Sequence, residues 1–270
     1  MRSTARSRAL GVAAVLVCAG PLTGQVAPNR ATAYLLPTDV SGSRALWVDP
    51  AGLAGLEASI LLDLTVDHPG SRGHLGQLTA GFDSHGLSFA YQRDNFGGLT
   101  GHTYRFGLGA ASRGLAVGVA TAVYKGNTSA VGWDVGLDYS WGTIATVGGV
   151  IANIGHPVVR GLKQETTLQP AATVHVMQAR LTFTARAAFV SSRALGYAFA
   201  ARARLGNPVR PIGLIARIDT DQALRRGAFA FGFSFGSQDQ VGLVATTPGD
   251  LSSVNAVSLY GQSSRLPPHR

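Results

Sequence analysis

The sequence predicts an all-β fold, a closed antiparallel transmembrane β-barrel of about fourteen strands with a short N-terminal plug segment. Three observations lead there. Segments of about ten residues alternate large apolar with small side chains, short turn signals separate them, and the composition is rich in glycine and poor in charge. The 270 residues fit one large all-β domain without needing a second. Charged residues are 14% of the chain, against roughly 25% in an average soluble domain, and the 35 glycines show no collagen-like period. A surface facing water carries more charge than that.

At the start, MRSTARSR followed by ALGVAAVLVCAG reads as a basic stretch and an apolar core of about twelve residues, the pattern of a secretory leader over residues 1–24. Cleavage after Gly24 suits the end of the apolar core, while Ala31 and Ala33 suit the small-x-small rule farther downstream. Val17 is too bulky for lipoprotein processing at Cys18, which leaves with the leader, so the mature chain has neither disulfides nor thiolate metal sites. No later stretch has 18 consecutive apolar residues, so no transmembrane helix is expected. The formal charge of +9 falls to +6 (9 − 3) without Arg2, Arg6 and Arg8, and the remaining arginines are scattered without an aromatic platform. That pattern excludes nucleic acid as a partner.

Residues 25–55 form the next segment. Its part YLLPTDVSGSRALWVDPAGLAG (34–55) does not alternate, holds two prolines and is too apolar for a solvated tail. Strands are then expected at 56–66, 74–82, 86–95, 102–110, 114–124, 131–139, 143–154, 171–177, 180–190, 194–205, 212–219, 227–236, 241–247 and 254–261. The barrel so defined covers 56–262, and the Pro-rich SSRLPPHR (263–270) is a tail.

The faces of these strands decide their solvent. GAFAFGFSFG puts Phe229, Phe231, Phe233 and Phe235 on one face and only Ala230, Gly232 and Ser234 on the other. VGWDVGLDY sets Val131, Trp133, Val135, Leu137 and Tyr139 against Gly132, Asp134, Gly136 and Asp138. In a water-soluble sandwich, the alternative fold, the wet face would be rich in Lys, Glu, Thr and Gln. Here the small face suits the concave inside of a barrel and the bulky face suits lipid. Segment length agrees with the roughly 9–11 residues a tilted strand needs to cross hydrocarbon. Closure also removes exposed strand edges. Fourteen tilted strands enclose a cylinder about 28 Å across, too wide for Gly and Ala to fill. Water or the 34–55 segment must occupy it.

Within that segment, ALWVDPAGLAGLEASI resembles the N-terminal "NPAGLA" signature of outer-membrane proteins in the long-chain fatty-acid transporter clan and its PorV/PorQ relatives. Pro50, Ala51, Gly52, Leu53 and Ala54 match, and Asp49 stands where the family has Asn. An ionised Asp only accepts hydrogen bonds, so the local network must differ there or include a cation such as Arg44. VGGVIANIG (147–155) is similar to a strand ending of the PorV-like branch. The resemblance implies a fourteen-stranded barrel in the bacterial outer membrane with a hatch inside it. Read on its own, DPAGLAG is a helix entry with Asp49 as N-cap and Pro50 first. The two readings are compatible.

Catalytic chemistry is not expected. GFSFG (232–236) matches the G-x-S-x-G elbow by letter, but Ser234 lies mid-strand with no helix after it. The histidines show no ligand spacing, so neither metal nor cofactor is expected. The lumen charges Asp63, Arg105, Asp134, Asp138, Arg180, Arg186, Arg202, Arg204, Arg217 and Asp219 are expected to pair with one another or with the plug. The sharper expectation is that the arginine-rich wall attracts an anionic head group. Three functions remain open: passive uptake of small hydrophobic or amphipathic molecules, a non-transporting barrel that anchors or docks an unknown protein partner, or a barrel module related to a larger multi-domain protein, as the linker-like tail suggests. Lipid is a partner in all three.

Overall fold

The structure is a computed structural model that describes residues 34–55, 57–70, 73–96, 99–126, 129–159 and 161–265. The expected leader with Cys18, the alternative cleavage residues Ala31 and Ala33, and residues 266–270 lie outside the described residues.

Fourteen antiparallel strands close into one barrel. In chain order they are β1 (Ala58–Asp67), β2 (His74–Ser84), β3 (Leu87–Phe96), β4 (Leu99–Ser112), β5 (Leu115–Lys125), β6 (Ser129–Trp141) and β7 (Ala145–Ile154), then β10 (Thr167–Val176), β11 (Leu181–Val190), β12 (Arg193–Leu205), β13 (Ile212–Asp221), β14 (Arg226–Phe235), β15 (Asp239–Pro248) and β16 (Ala256–Arg265). Between β7 and β10, β8 (Val158–Val159) and β9 (Leu162–Lys163) form a small hairpin outside the barrel ladder. Each barrel strand pairs with its sequence neighbour, β7 pairs with β10, and β1 closes on β16 from Ala58↔Arg265 to Asp67↔Ala256. No edge is left to recruit another strand.

Two strand limits differ from the sequence reading by four residues, the others by three or fewer. β10 begins at Thr167 rather than Ala171, because Pro170, which has no N–H to offer, lies opposite Gly149 and the ladder continues on both sides of it. β16 runs to Arg265, so the first residues of the expected tail are strand: Asp239 accepts from Ser263 Oγ at 2.6 Å and from Arg265 Nη2 at 3.0 Å. The connections at the end where β1 starts are tight. His85–Gly86 and Arg113–Gly114 have φ of 52°, 86°, 51° and 85°, the paired left-handed geometry whose twist matches that of a hairpin.

Alternation sorts the two faces by solvent. Phe231, Phe233 and Phe235 point outward and are 47%, 42% and 52% exposed. The same holds for Ile60 and Leu62 on β1, Phe106 and Leu108 on β4, Trp133 on β6 and Phe183 on β11. A continuous apolar belt of this kind is unstable in water and stable in hydrocarbon. At the end of β6 the Tyr139 and Trp141 rings lie edge-on at 4.9 Å. No described helix is long and apolar enough to cross a membrane; the strands do the crossing. Pro157 lies against the lumen face of β6, where a Cβ at Gly132 would come within 2.8 Å of the Pro157 ring.

Because Phe231 lies near the middle of β14, Phe231→Arg is expected to destabilise the barrel by about 2–4 kcal/mol in reversible unfolding from bilayers. A loss below about 0.5 kcal/mol, the scale of an ordinary surface substitution, would contradict hydrocarbon contact at this face.

Candidate functional site: a hatch on a glycine bed

Residues 34–55 run through the barrel interior. Tyr34, Leu35 and Leu36 are buried, and the first two pack with Leu61, Ile215, Val244 and Tyr260 of the wall. A 3-10 turn at Gly42–Arg44 leads into the single helical turn α1 (Ala45–Val48), and a second 3-10 turn spans Pro50–Ala54. Asp49 caps this second turn: its extended backbone (φ −153°, ψ 108°) frees the carboxylate Oδ1 to accept the Ala51 N–H at 3.0 Å. Pro50 follows at the first helical position, where its missing N–H costs nothing.

The wall under this turn is made of backbone. A Cβ at Gly107 would fall within 2.6 Å of Leu46 and Leu53, and one at Gly109 within 2.8 Å of Leu53. At Gly118 it would overlap the Pro50 carbonyl, and at Gly136 the Asp49 carboxylate. These four positions span β4, β5 and β6 and form a bed that only glycine leaves flat. Leu46 and Leu53 fill it and are fully buried with Ala90 and Ala120. On the opposite side the Ser43 N–H donates to Ser59 Oγ at 2.9 Å. Thr38, Thr173 and Thr184 form a hydroxyl chain with separations of 2.8 and 2.9 Å.

Charge clasps the hatch from the wall. Arg202 reaches Asp39 at 3.0 Å, and burial, opposed by Arg202, pushes the Asp39 carboxyl above its usual range. Arg217 donates to the Leu35 carbonyl at 2.8 Å while pairing with Asp219 at 2.6 Å. Arg105 pairs with Asp134 and lies 5.3 Å from the Trp47 ring centre, and Asp134 also accepts the Asn153 N–H. Arg44, from the hatch itself, sits 4.0 Å over Tyr260, whose ring is stacked 6.0 Å from Tyr34.

The six arginines singled out in the sequence therefore separate. Arg105, Arg202 and Arg217 hold the hatch. Arg186 stays on the wall, donating to Gln169 at 2.8 Å and lying 3.7 Å from Asp219. Arg180 and Arg204 are exposed at the strand ends, joined there through a backbone bond of 2.7 Å. Asp49, Pro50, Ala51, Gly52, Leu53 and Ala54 all lie in the capped turn and its approach. Sequence reasoning missed Asp39, the Tyr34–Arg44–Tyr260 stack and the glycine bed. The inward register of Gly107, Gly109, Gly118 and Gly136 was the signal available for the last. Among the described residues no group of His, Cys, Asp or Glu is arranged to hold a metal.

Comparisons with known proteins give fold neighbours. No family profile matches the chain, and neither does any curated protein. Among solved structures, a triple mutant of the Rhodopseudomonas blastica porin is 8% identical with a TM-score of 0.44, over 78% of this chain and 99% of that one. The KdgM porin is 9% identical (TM-score 0.41; 76% and 98% covered). A Pseudomonas aeruginosa FadL homologue is 10% identical (TM-score 0.41; 90% and 98% covered). The likeness is one of architecture.

Gly118→Val should displace the hatch without opening the barrel. Its heat-resistant migration is expected to persist while protease cleaves within residues 34–55 at least severalfold faster than in the native protein. Equal protection would show that the bed does not position the hatch.

Proposed function

We propose that this chain is a bacterial outer-membrane barrel through which small hydrophobic or amphipathic molecules pass passively when the hatch is displaced. One observation carries the reading. One half of the lumen is occupied by one continuous segment, seated on bare backbone and clasped by a few wall arginines. Such a filling is separable from its container. Most connections opposite the termini are short, which leaves little surface for docking a partner. For cargo with a carboxylate, Arg186 is the wall cation best placed to receive it, since Arg202 and Arg217 are engaged with the hatch.

The alternative reading, a non-transporting barrel that docks partners as in the PorV-like branch, draws on the other half of the lumen. There Gln77, Thr79, Gln92, Thr103 and Tyr124 are all buried. Uptake separates the two. Cells carrying the protein in their outer membrane should accumulate radiolabelled dodecanoate faster than cells without it. Arg186→Gln should slow that uptake severalfold while leaving dodecanol unaffected. Identical accumulation with and without the protein would overturn the transport reading and favour the anchoring one.

A further inference from the structure

Asp49 is completely buried at the point where the hatch meets β6. One oxygen, Oδ1, takes the Ala51 N–H; the other, Oδ2, has no donor. Across from it stands Asp138 of β6, also buried, whose carboxylate accepts the Gly149 N–H and whose Oδ1 likewise lacks a donor. Asp49 lies against Gly136, which precedes Asp138 on the inward face of β6, and this sets the two buried carboxyl groups side by side. Two ionised carboxylates cannot satisfy that arrangement, because both are acceptors only. A single proton satisfies it completely: one carboxyl donates, the other accepts, and both orphan oxygens gain a partner.

The surroundings supply no other counter-charge. Gly136 of β6 lies against Asp49 itself, Gly118 of β5 against the following Pro50, Gly107 and Gly109 of β4 against Leu53, and Gly148 of β7 against Asp138. Asp138 is the charged group among them. Arg105 of the wall is paired with Asp134, and Arg44 of the hatch is stacked on Tyr260. We infer that Asp49 and Asp138 share one proton, and that this carboxyl–carboxylate bond is a latch which docks the hatch and lets go when the proton is lost. It explains how Asp can stand where the resembling signature has Asn: with the proton held, Asp49 donates as an amide would. The inference concerns hatch docking only and is independent of what crosses the barrel.

Burial first, and the neighbouring Asp138 second, push the Asp49 carboxyl up to about 8. An undocked hatch returns it to the ordinary value of about 3.9. The docked state therefore binds the extra proton. Docking is strongest below the ordinary value, weakens as pH rises through the interval, and is weakest above about 8. Within the interval the undocked population rises by up to about tenfold per pH unit.

The test uses full-length protein in detergent with Cys18→Ser and a reporter Ser43→Cys, which is buried in the docked hatch and bonds the wall through its backbone. Maleimide labelling is followed from pH 5 to 9 and normalised to Ser252→Cys in an exposed connection. Normalised labelling should climb with pH and level off above about 8. Asp49→Asn should flatten the profile and keep the hatch docked, because the amide donates to Asp138 permanently. Asp138→Asn, as a second variant, should flatten it too, with heat-resistant migration showing that each barrel is assembled. A flat profile in the native protein overturns the latch, and so does a slope that survives in both variants.

Discussion

Gly107, Gly109, Gly118 and Gly136 face the hatch across three neighbouring strands, and a methyl at any of them would occupy space now held by Leu46, Leu53 or the Asp49–Pro50 backbone. At Gly109 and Gly118 the contact is main chain against main chain, and at Gly107 and Gly136 bare main chain meets the Leu46, Leu53 and Asp49 side chains. Such proximity needs two conditions at once: inward glycines in matching register on β4, β5 and β6, and a hatch turn compact enough to lie flat on them. The 3-10 turn capped by Asp49 meets the second condition. The other hatch contacts presuppose this seating, since Ser43, Asp39 and Leu35 reach their wall partners from a segment whose position the bed fixes. Shape sets the position here, and charge then orients what shape has admitted.

The same residue type serves a different end on the outer face. Where Gly and Ala line the lumen, the alternate positions must carry nearly all the apolar bulk the strand has, and those side chains face outward. A barrel with this inside and this outside needs hydrocarbon around it, because closure leaves no second sheet against which Phe231 or Phe183 is covered. The low overall charge follows from the geometry. Ionisable side chains are confined to the lumen, the strand ends and the connections, and the lumen has room for few.

The strands were legible because period-2 alternation with turn residues between segments is a local signal: β5 through β7 and β11 through β14 lie within three residues of where the pattern puts them. The Asp49 cap was legible for the same reason. The start of β10 was not, since Pro170 reads locally as a breaker and is tolerated only because of what stands opposite it in another strand. Nor could the sequence divide the arginines. Arg186, Arg202 and Arg217 share one face of adjacent strands, and which of them meets Asp39 or Leu35 depends on where a segment 163 to 182 residues earlier comes to rest. Pairings across that separation have no local signature.

Burying acids at the hatch seat has a consequence for how the fold is held. A salt bridge at Asp49 would give a contact indifferent to pH over the physiological range, and wall arginines supply such contacts elsewhere in the lumen, at Asp39 and Asp134. At the seat the neighbour is instead a second carboxylate. Replacing a cation by an acid there turns a permanent clasp into a conditional one, since its strength now depends on a proton taken from solution. The hatch is thus bound in two ways. Glycine packing and the arginine clasps fix where it sits, and the Asp49–Asp138 pair makes how firmly it sits a function of the medium.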